Sequence, residues 1–171
     1  MLAYLFVIVG VALRFLPHPF HFTPVGASLL FFGAHRPKRE MWAPVALLVV
    51  SDLLLNRFVY NIPLHQDQIV VWAWYAGAIA IGMLMRNRIS APRVAGASLA
   101  ASISFYLVSN FAVWATYEMY PRTWQGLLAC YSAAVPFFRN TVVGDLVFSA
   151  VLFSIPLAIA ALRHEDKTAA V

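Results

Sequence analysis

Two aspartates stand inside long apolar runs, where a carboxylate is costly to place. Asp52 lies in LLVVSDLLL, about 11 residues into its run, or roughly 16 Å along a helix. At the centre of a membrane helix an aspartate costs about 2.5–3.5 kcal/mol on insertion scales. A cation, a hydrogen-bond network or a proton has to offset that cost. Asp145 lies in TVVGDLVFS, and Thr141, Asp145 and Ser149 follow one another at four-residue spacing, so they share a helix face. Arg139 is close in sequence and is a candidate salt-bridge partner for Asp145. Ser98, Ser102, Tyr106, Asn110, Trp114 and Glu118 also recur every four residues, a polar stripe that belongs in a bundle interior rather than against lipid.

The segment 14–26, RFLPHPFHFTPVG, joins two apolar runs yet carries three prolines, two histidines and an arginine. Irregular backbone at membrane depth survives only where protein or a water-filled cavity covers it. The segment therefore predicts a lined cavity at one face, with Arg14, His18 and His21 above it. His18 and His21 stand three residues apart, but no third His or Cys is near them in sequence, so no metal site is assigned. Asp52 and Asn56, Asn110 and Trp114, and Thr141 and Asp145 come from three different runs and fall in the same half once orientation is set. Polar groups converging from several elements under a loop predict a small-molecule pocket. The opposite half has almost no buried polar residues, which argues against an aqueous pore.

The elements that must position these residues are membrane helices. Hydrophobic residues make up 62% of the 171, charged residues 11%, and mean hydropathy is +0.76. A soluble domain carries about 25% charged residues. Apolar runs recur along the whole chain and no hydrophilic stretch could hold a second domain, so residues 1–171 are read as one integral membrane domain. The expected fold is an all-α bundle of six membrane segments at 1–16, 22–34, 41–60, 69–85, 93–117 and 140–162. The first two are short, fitting either tilted spans or a re-entrant hairpin. Residues 124–138, which include Gln125, Gly126 and Pro136, are read as a separate interfacial helix. Residues 1–13 have no preceding basic segment and no small-residue cleavage site after them, so they are read as retained.

Lys and Arg set the expected orientation. Arg36, Lys38, Arg39, Arg86, Arg88, Arg93, Arg163 and Lys167 fall on one side, against Arg14, Arg57, Arg122 and Arg139 on the other. The excess of basic loops marks the cytoplasmic side, so both termini are expected there and the 14–26 loop faces outward. The net charge of +5 serves this topology rather than nucleic-acid binding. Cys130 is the single cysteine and excludes an intramolecular disulfide. Small residues crowd the fourth run (Ala73, Gly77, Ala78, Ala80, Gly82) and the fifth (Ala95, Gly96, Ala97, Ala100, Ala101), for close helix packing or for docking another subunit. No nucleophile motif or phosphate-binding glycine loop is present, so neither an enzyme nor a bound cofactor is expected. Trp72, Trp74, Tyr75, Tyr117, Tyr120 and Trp124 are read mainly as interfacial aromatics.

R-F-L-P-H-P-x-x-F-T-P-V-G, S-D-L-L-L, S-N-F-x-V-W and G-L-L-A-C-Y-x-x-A-x-P-F-F-x-N-T together resemble a family of short bacterial integral membrane proteins of unassigned function. That family is similar in size and layout to the substrate-specific (S) components of energy-coupling factor transporters. The resemblance implies six helices in the bacterial inner membrane, a vitamin-like substrate in an outward pocket, and borrowed scaffold and ATPase subunits. It also implies that residues 14–23 cap the pocket, with Asp52, Asn110 and Asp145 inside. The first helix offers Ala3, Gly10 and Ala12 in place of the Ala-xxx-Ala docking motif of S components, a departure from the pattern. The functional expectation is a substrate-binding component of a micronutrient transporter. In it, Arg14, His18 and His21 close over the ligand, Asp52, Asn56, Asn110 and Asp145 hydrogen-bond it, and Tyr106 and Trp114 stack on it. A non-catalytic accessory subunit and a membrane enzyme acting on a lipid or prenyl substrate are the alternatives. Asp52→Ala is expected to abolish uptake and leave folding largely intact.

Overall fold

In the computed structural model, residues 1–16 and 22–169 are described, with side chains described as far as residue 162. Six helices follow in order: α1 (Leu2–Leu13), α2 (Val25–His35), α3 (Trp42–Leu54), α4 (Asp67–Leu84), α5 (Ala91–Thr116) and α6 (Trp124–Ala169). A single 3₁₀ turn, Lys38–Glu40, precedes α3, and a π-helical segment, Leu55–Tyr60, continues it. No strand occurs among the described residues. Four stretches are long and apolar enough to cross a membrane: Lys38–Tyr60, Asp67–Leu84, Ala91–Thr116 and Trp124–Leu162. The six-helix count matches the sequence reading. At 1.5 Å per residue, however, α1 and α2 reach only about 18 Å and 16 Å, well short of a hydrocarbon core of about 30 Å.

These two short helices form a hairpin that lies inside one half of the bundle. At its open end the Tyr4 hydroxyl and the Arg36 guanidinium both donate to Glu40, each at 2.7 Å. Arg36 also stands 5.3 Å over the Tyr4 ring. Its hydrogen bond to Glu40 raises the Arg36 pKa above the ordinary guanidinium value. Arg86 donates to the carbonyls of Gly33 and Arg36, which brings the two basic loops to the same end. At the turn of the hairpin Arg14 reaches Ser51 and Asp52 on α3, about 15 Å along that helix from Trp42. The hairpin therefore starts at the basic end and stops near mid-bundle. The start of the 14–26 loop belongs at that depth, not at the far face where the sequence reading put it.

α2 is the centre of the fold. Every residue from Val25 to Ala34 is buried, against α1, α4, α5 and α6. Glycines make this possible. A Cβ on Gly33 would strike the carbonyl of Ile79, and one on Gly82 would strike the backbone of Leu30, so α2 and α4 cross backbone to backbone. Aromatic edges seal the rest, with Phe31 against Phe6 at 4.8 Å and against Phe153 at 5.0 Å. Part of the small-residue content of α4 and α5 thus serves internal packing: Ala78, Gly82, Ala97 and Ala101 are buried. Gly77 and Gly96 face open space.

The separate interfacial helix at 124–138 is not observed. Residues 124–169 form one helix of 46 residues with Pro136 and Pro156 inside it. Proline removes one helical hydrogen bond and crowds the preceding turn, but membrane helices tolerate it where neighbours re-satisfy the backbone. The carbonyl that Pro136 leaves without its helical donor is that of Ser132; the neighbouring Tyr131 carbonyl accepts from the Tyr106 hydroxyl at 2.7 Å. α5 stays against α6 on both sides of Pro136: the Tyr106 ring lies 5.3 Å from that of Tyr131 and 4.6 Å from that of Phe138.

Two glycine substitutions test the α2–α4 crossing. Gly82→Leu is expected to cost about 1–3 kcal/mol or more through overpacking, read as a lowered thermal unfolding midpoint in detergent. Gly77→Leu, with nothing near its Cβ, is expected to stay within about 0.5 kcal/mol of the parent chain.

Candidate functional site

Because the hairpin fills only the basic half of the bundle, the other half is loosely filled. A cavity of about 550 Å³ lies there. Its floor is the hairpin turn with Arg14, Gly26 and Asp52. Its walls include Tyr60 from the π segment, Gln68, Trp74 and Tyr75 from α4, Phe105 from α5, and Thr141 and Asp145 from α6. The π segment ends at Asn61, which takes the left-handed conformation (φ 53°) that asparagine tolerates at helix ends. A π turn widens the helix locally and recurs at functional sites; here it carries Val59 and Tyr60 onto the cavity wall.

The two carboxylates are held in opposite ways. Asp52 is 2% exposed and fully engaged. One oxygen pairs with Arg14; the other accepts from the Trp72 indole at 2.9 Å and from the Tyr75 hydroxyl at 3.0 Å. Arg14 also donates to Ser51 Oγ at 2.7 Å, and Ser51 donates to the Leu48 carbonyl at 2.8 Å. Asp145, 4% exposed, accepts one hydrogen bond, from Ser102 at 2.6 Å. Its carboxylate fills the space where a Cβ on Gly26 would sit, beside the first turn of α2. One helical turn deeper, Ser98 donates to Ser149 at 2.8 Å. The polar faces read from four-residue spacing on α5 and α6 therefore do meet. Asp145 does not pair with Arg139; its partner is Ser102, and Arg139 is exposed.

Of the residues singled out from sequence, Arg14, Asp52 and Asp145 line this cavity. His18 and His21 lie outside the described residues. Asn56 faces away, donating to Gln68 at 3.2 Å and lining a second, shallower hollow around Leu53, Asn61 and Leu64. Tyr106, Asn110 and Trp114 do not line the cavity either. Tyr106 binds the Tyr131 carbonyl and Asn110 binds the Tyr106 carbonyl at 2.8 Å. Cys130 donates to the Asn110 carbonyl at 3.5 Å, and Trp114 binds the Pro121 carbonyl at 3.0 Å under the Arg122 guanidinium. They build the seam between α5 and the start of α6. At the far end Tyr117 donates to Asp67 at 3.2 Å, and burial, then Asp67, push its hydroxyl pKa up.

Sequence reasoning missed Ser51, Trp72 and Tyr75 as the shell of Asp52, and Tyr60, Trp74 and Phe105 as cavity walls. Trp72 and Tyr75 are three apart on α4 and so share a face, a signal that membrane-interface aromatics also produce. No cluster of three His, Cys, Asp or Glu that could hold a metal ion occurs among the described residues.

Helices long and apolar enough to cross a membrane, around a half-depth polar cavity, are the features of a multi-pass α-helical membrane protein. The chain belongs to a family of unknown function, DUF6580, whose sequence pattern matches residues 1–167. Comparison with curated proteins and with solved structures finds no match.

The expectation that Asp52→Ala spares folding is revised by this geometry, because it strands Arg14 with no counter-ion. Removing one partner of a buried pair costs about 3–5 kcal/mol. Arg14→Met and Asp52→Leu are each expected to be destabilised by that order in denaturant unfolding. The double variant is expected to recover much of the loss, and strictly additive losses would show that the pair is not coupled.

Proposed function

We propose that this chain is the substrate-binding membrane component of a micronutrient uptake system, capturing a small molecule in the cavity above the hairpin. The observation that carries this reading is the cavity itself. Its volume falls in the range of about 300–1,000 Å³ typical of small-molecule sites, and a buried carboxylate and several aromatic rings from different helices line it. The positive-inside rule supports placing the basic end in the cytoplasm, so that the cavity faces outward and both termini are cytoplasmic. In a bacterial inner membrane this is the arrangement of an S component, which has no ATPase of its own. Release then requires a partner scaffold and ATPase to tilt or rotate the bundle.

A second reading is favoured by a different observation. No buried side-chain nitrogen or oxygen among the described residues lacks a hydrogen-bond partner. A non-catalytic accessory subunit, whose polar residues only lock helices together, has that property too. The reading as an enzyme acting on a lipid or prenyl substrate rests on His18, His21 and Asp52; the two histidines lie outside the described residues, and Asp52 is paired with Arg14.

Native mass spectrometry on protein purified gently from its own membrane separates the first two. The expected result is a bound small molecule that disappears in Asp145→Asn while the variant keeps its unfolding midpoint. A ligand-free chain in stoichiometric complex with another membrane protein would move the assignment to the accessory subunit.

A further inference from the structure

We infer that the cavity selects an organic cation, an amine or quaternary ammonium on an apolar body, with Asp145 as the counter-ion. This deepens the substrate-binding reading above and rests on it. The charges on the cavity wall do not cancel. Arg14 and Asp52 neutralise each other as an ion pair, and Asp52, 2% exposed, already accepts from Arg14, Trp72 and Tyr75. Asp145 is the remaining ionisable carboxylate on the wall, and no cation lies against it among the described residues. Its one donor is the neutral Ser102 hydroxyl. The first turn of α2 beside it supplies at most about half a positive charge. Among the described residues, the ionisable side chains lining the cavity thus leave one carboxylate without a cationic partner.

The rings around this carboxylate complete the match. Phe15, Tyr60, Trp74, Tyr75 and Phe105 all border the cavity. The polar atoms of two of them are already used: the Trp74 indole donates to Ser104 at 3.0 Å and the Tyr75 hydroxyl to Asp52. Trp74 and Phe105 pack at 4.7 Å between centroids, forming one continuous aromatic wall. With their polar atoms used, Trp74 and Tyr75 present π faces to a ligand, and such faces attract cations and quaternary ammonium groups in particular. An anionic ligand would meet Asp145 with only Arg14 to offset it, and the charge of Arg14 is already balanced by Asp52.

The test uses three probes of one shape: benzyltrimethylammonium, benzyl alcohol and phenylacetate. Each is titrated by calorimetry into the full chain in nanodiscs, as parent and as Asp145→Asn. A charged hydrogen bond or contact is worth roughly ten-fold or more in affinity. The expected result is that the cation binds at least ten-fold tighter than the other two, and that Asp145→Asn loses this margin while benzyl alcohol binding stays unchanged. Equal or tighter binding of benzyl alcohol or phenylacetate to the parent chain would overturn the cation assignment and leave the binding cavity standing. No binding of any probe to folded parent protein would overturn the assignment, and with a ligand-free native mass spectrum it would overturn the binding reading as well. If Asp145→Asn does not fold, the three-probe ranking on the parent chain decides alone.

Discussion

The ion pair between Arg14 and Asp52 is the constraint on which the rest of this structure depends. A lone charge in an apolar bundle is prohibitive, and a pair is tolerable only when every remaining donor and acceptor is also met. Here Ser51, Trp72 and Tyr75 meet them. That requirement sets the register of three elements at once. It holds the end of α1 at a fixed height on α3 and turns two aromatic side chains of α4 inward. A hairpin anchored in this way cannot slide toward either face of the bundle.

The cavity follows from that anchoring through simple geometry. α1 and α2 together fill one half of the bundle. Beyond the hairpin the longer helices have less to pack against. Space remains where the helices cannot close it. The two aspartates bordering it then diverge in character because their neighbours differ. Asp52 is paired with a cation, whereas Asp145 accepts one bond from a neutral serine, fits against Gly26 and borders the cavity. The first is a structural anchor and the second is the group with something to offer a ligand.

Several particular residues show how far sequence could be read. The interior placement of Ser98, Ser102, Asp145 and Ser149 was legible, because helical spacing alone sorts residues onto faces. The distinction between cavity and seam was not. Tyr106, Asn110 and Trp114 lie on the same stripe as Ser102, yet none reaches the cavity: Tyr106 binds the Tyr131 carbonyl of α6, Asn110 the Tyr106 carbonyl of its own helix, and Trp114 the Pro121 carbonyl in the loop before α6. Which part of α6 a stripe meets depends on how that helix runs past Pro136, and no local pattern encodes the path. The expected break near residue 139 failed for a related reason: a proline that would end a helix in water is carried in a membrane helix when a neighbour binds the backbone around it.

The sequence by itself determined the class of the protein and its helix list. Long apolar runs with basic residues confined to short loops leave an α-helical membrane bundle, and the costly aspartates mark where function or anchoring must lie. Only the tertiary structure decided which helix is central. Among apolar helices hydrophobicity no longer separates core from surface, and α2 is enclosed because Gly26 and Gly33 let neighbours approach its backbone. Only the tertiary structure decided the partner of each charge as well. Arg14 and Asp52 are 38 residues apart, and Ser102 and Asp145 are 43 apart. Pairs at such separations form through packing, which spacing along the chain does not express.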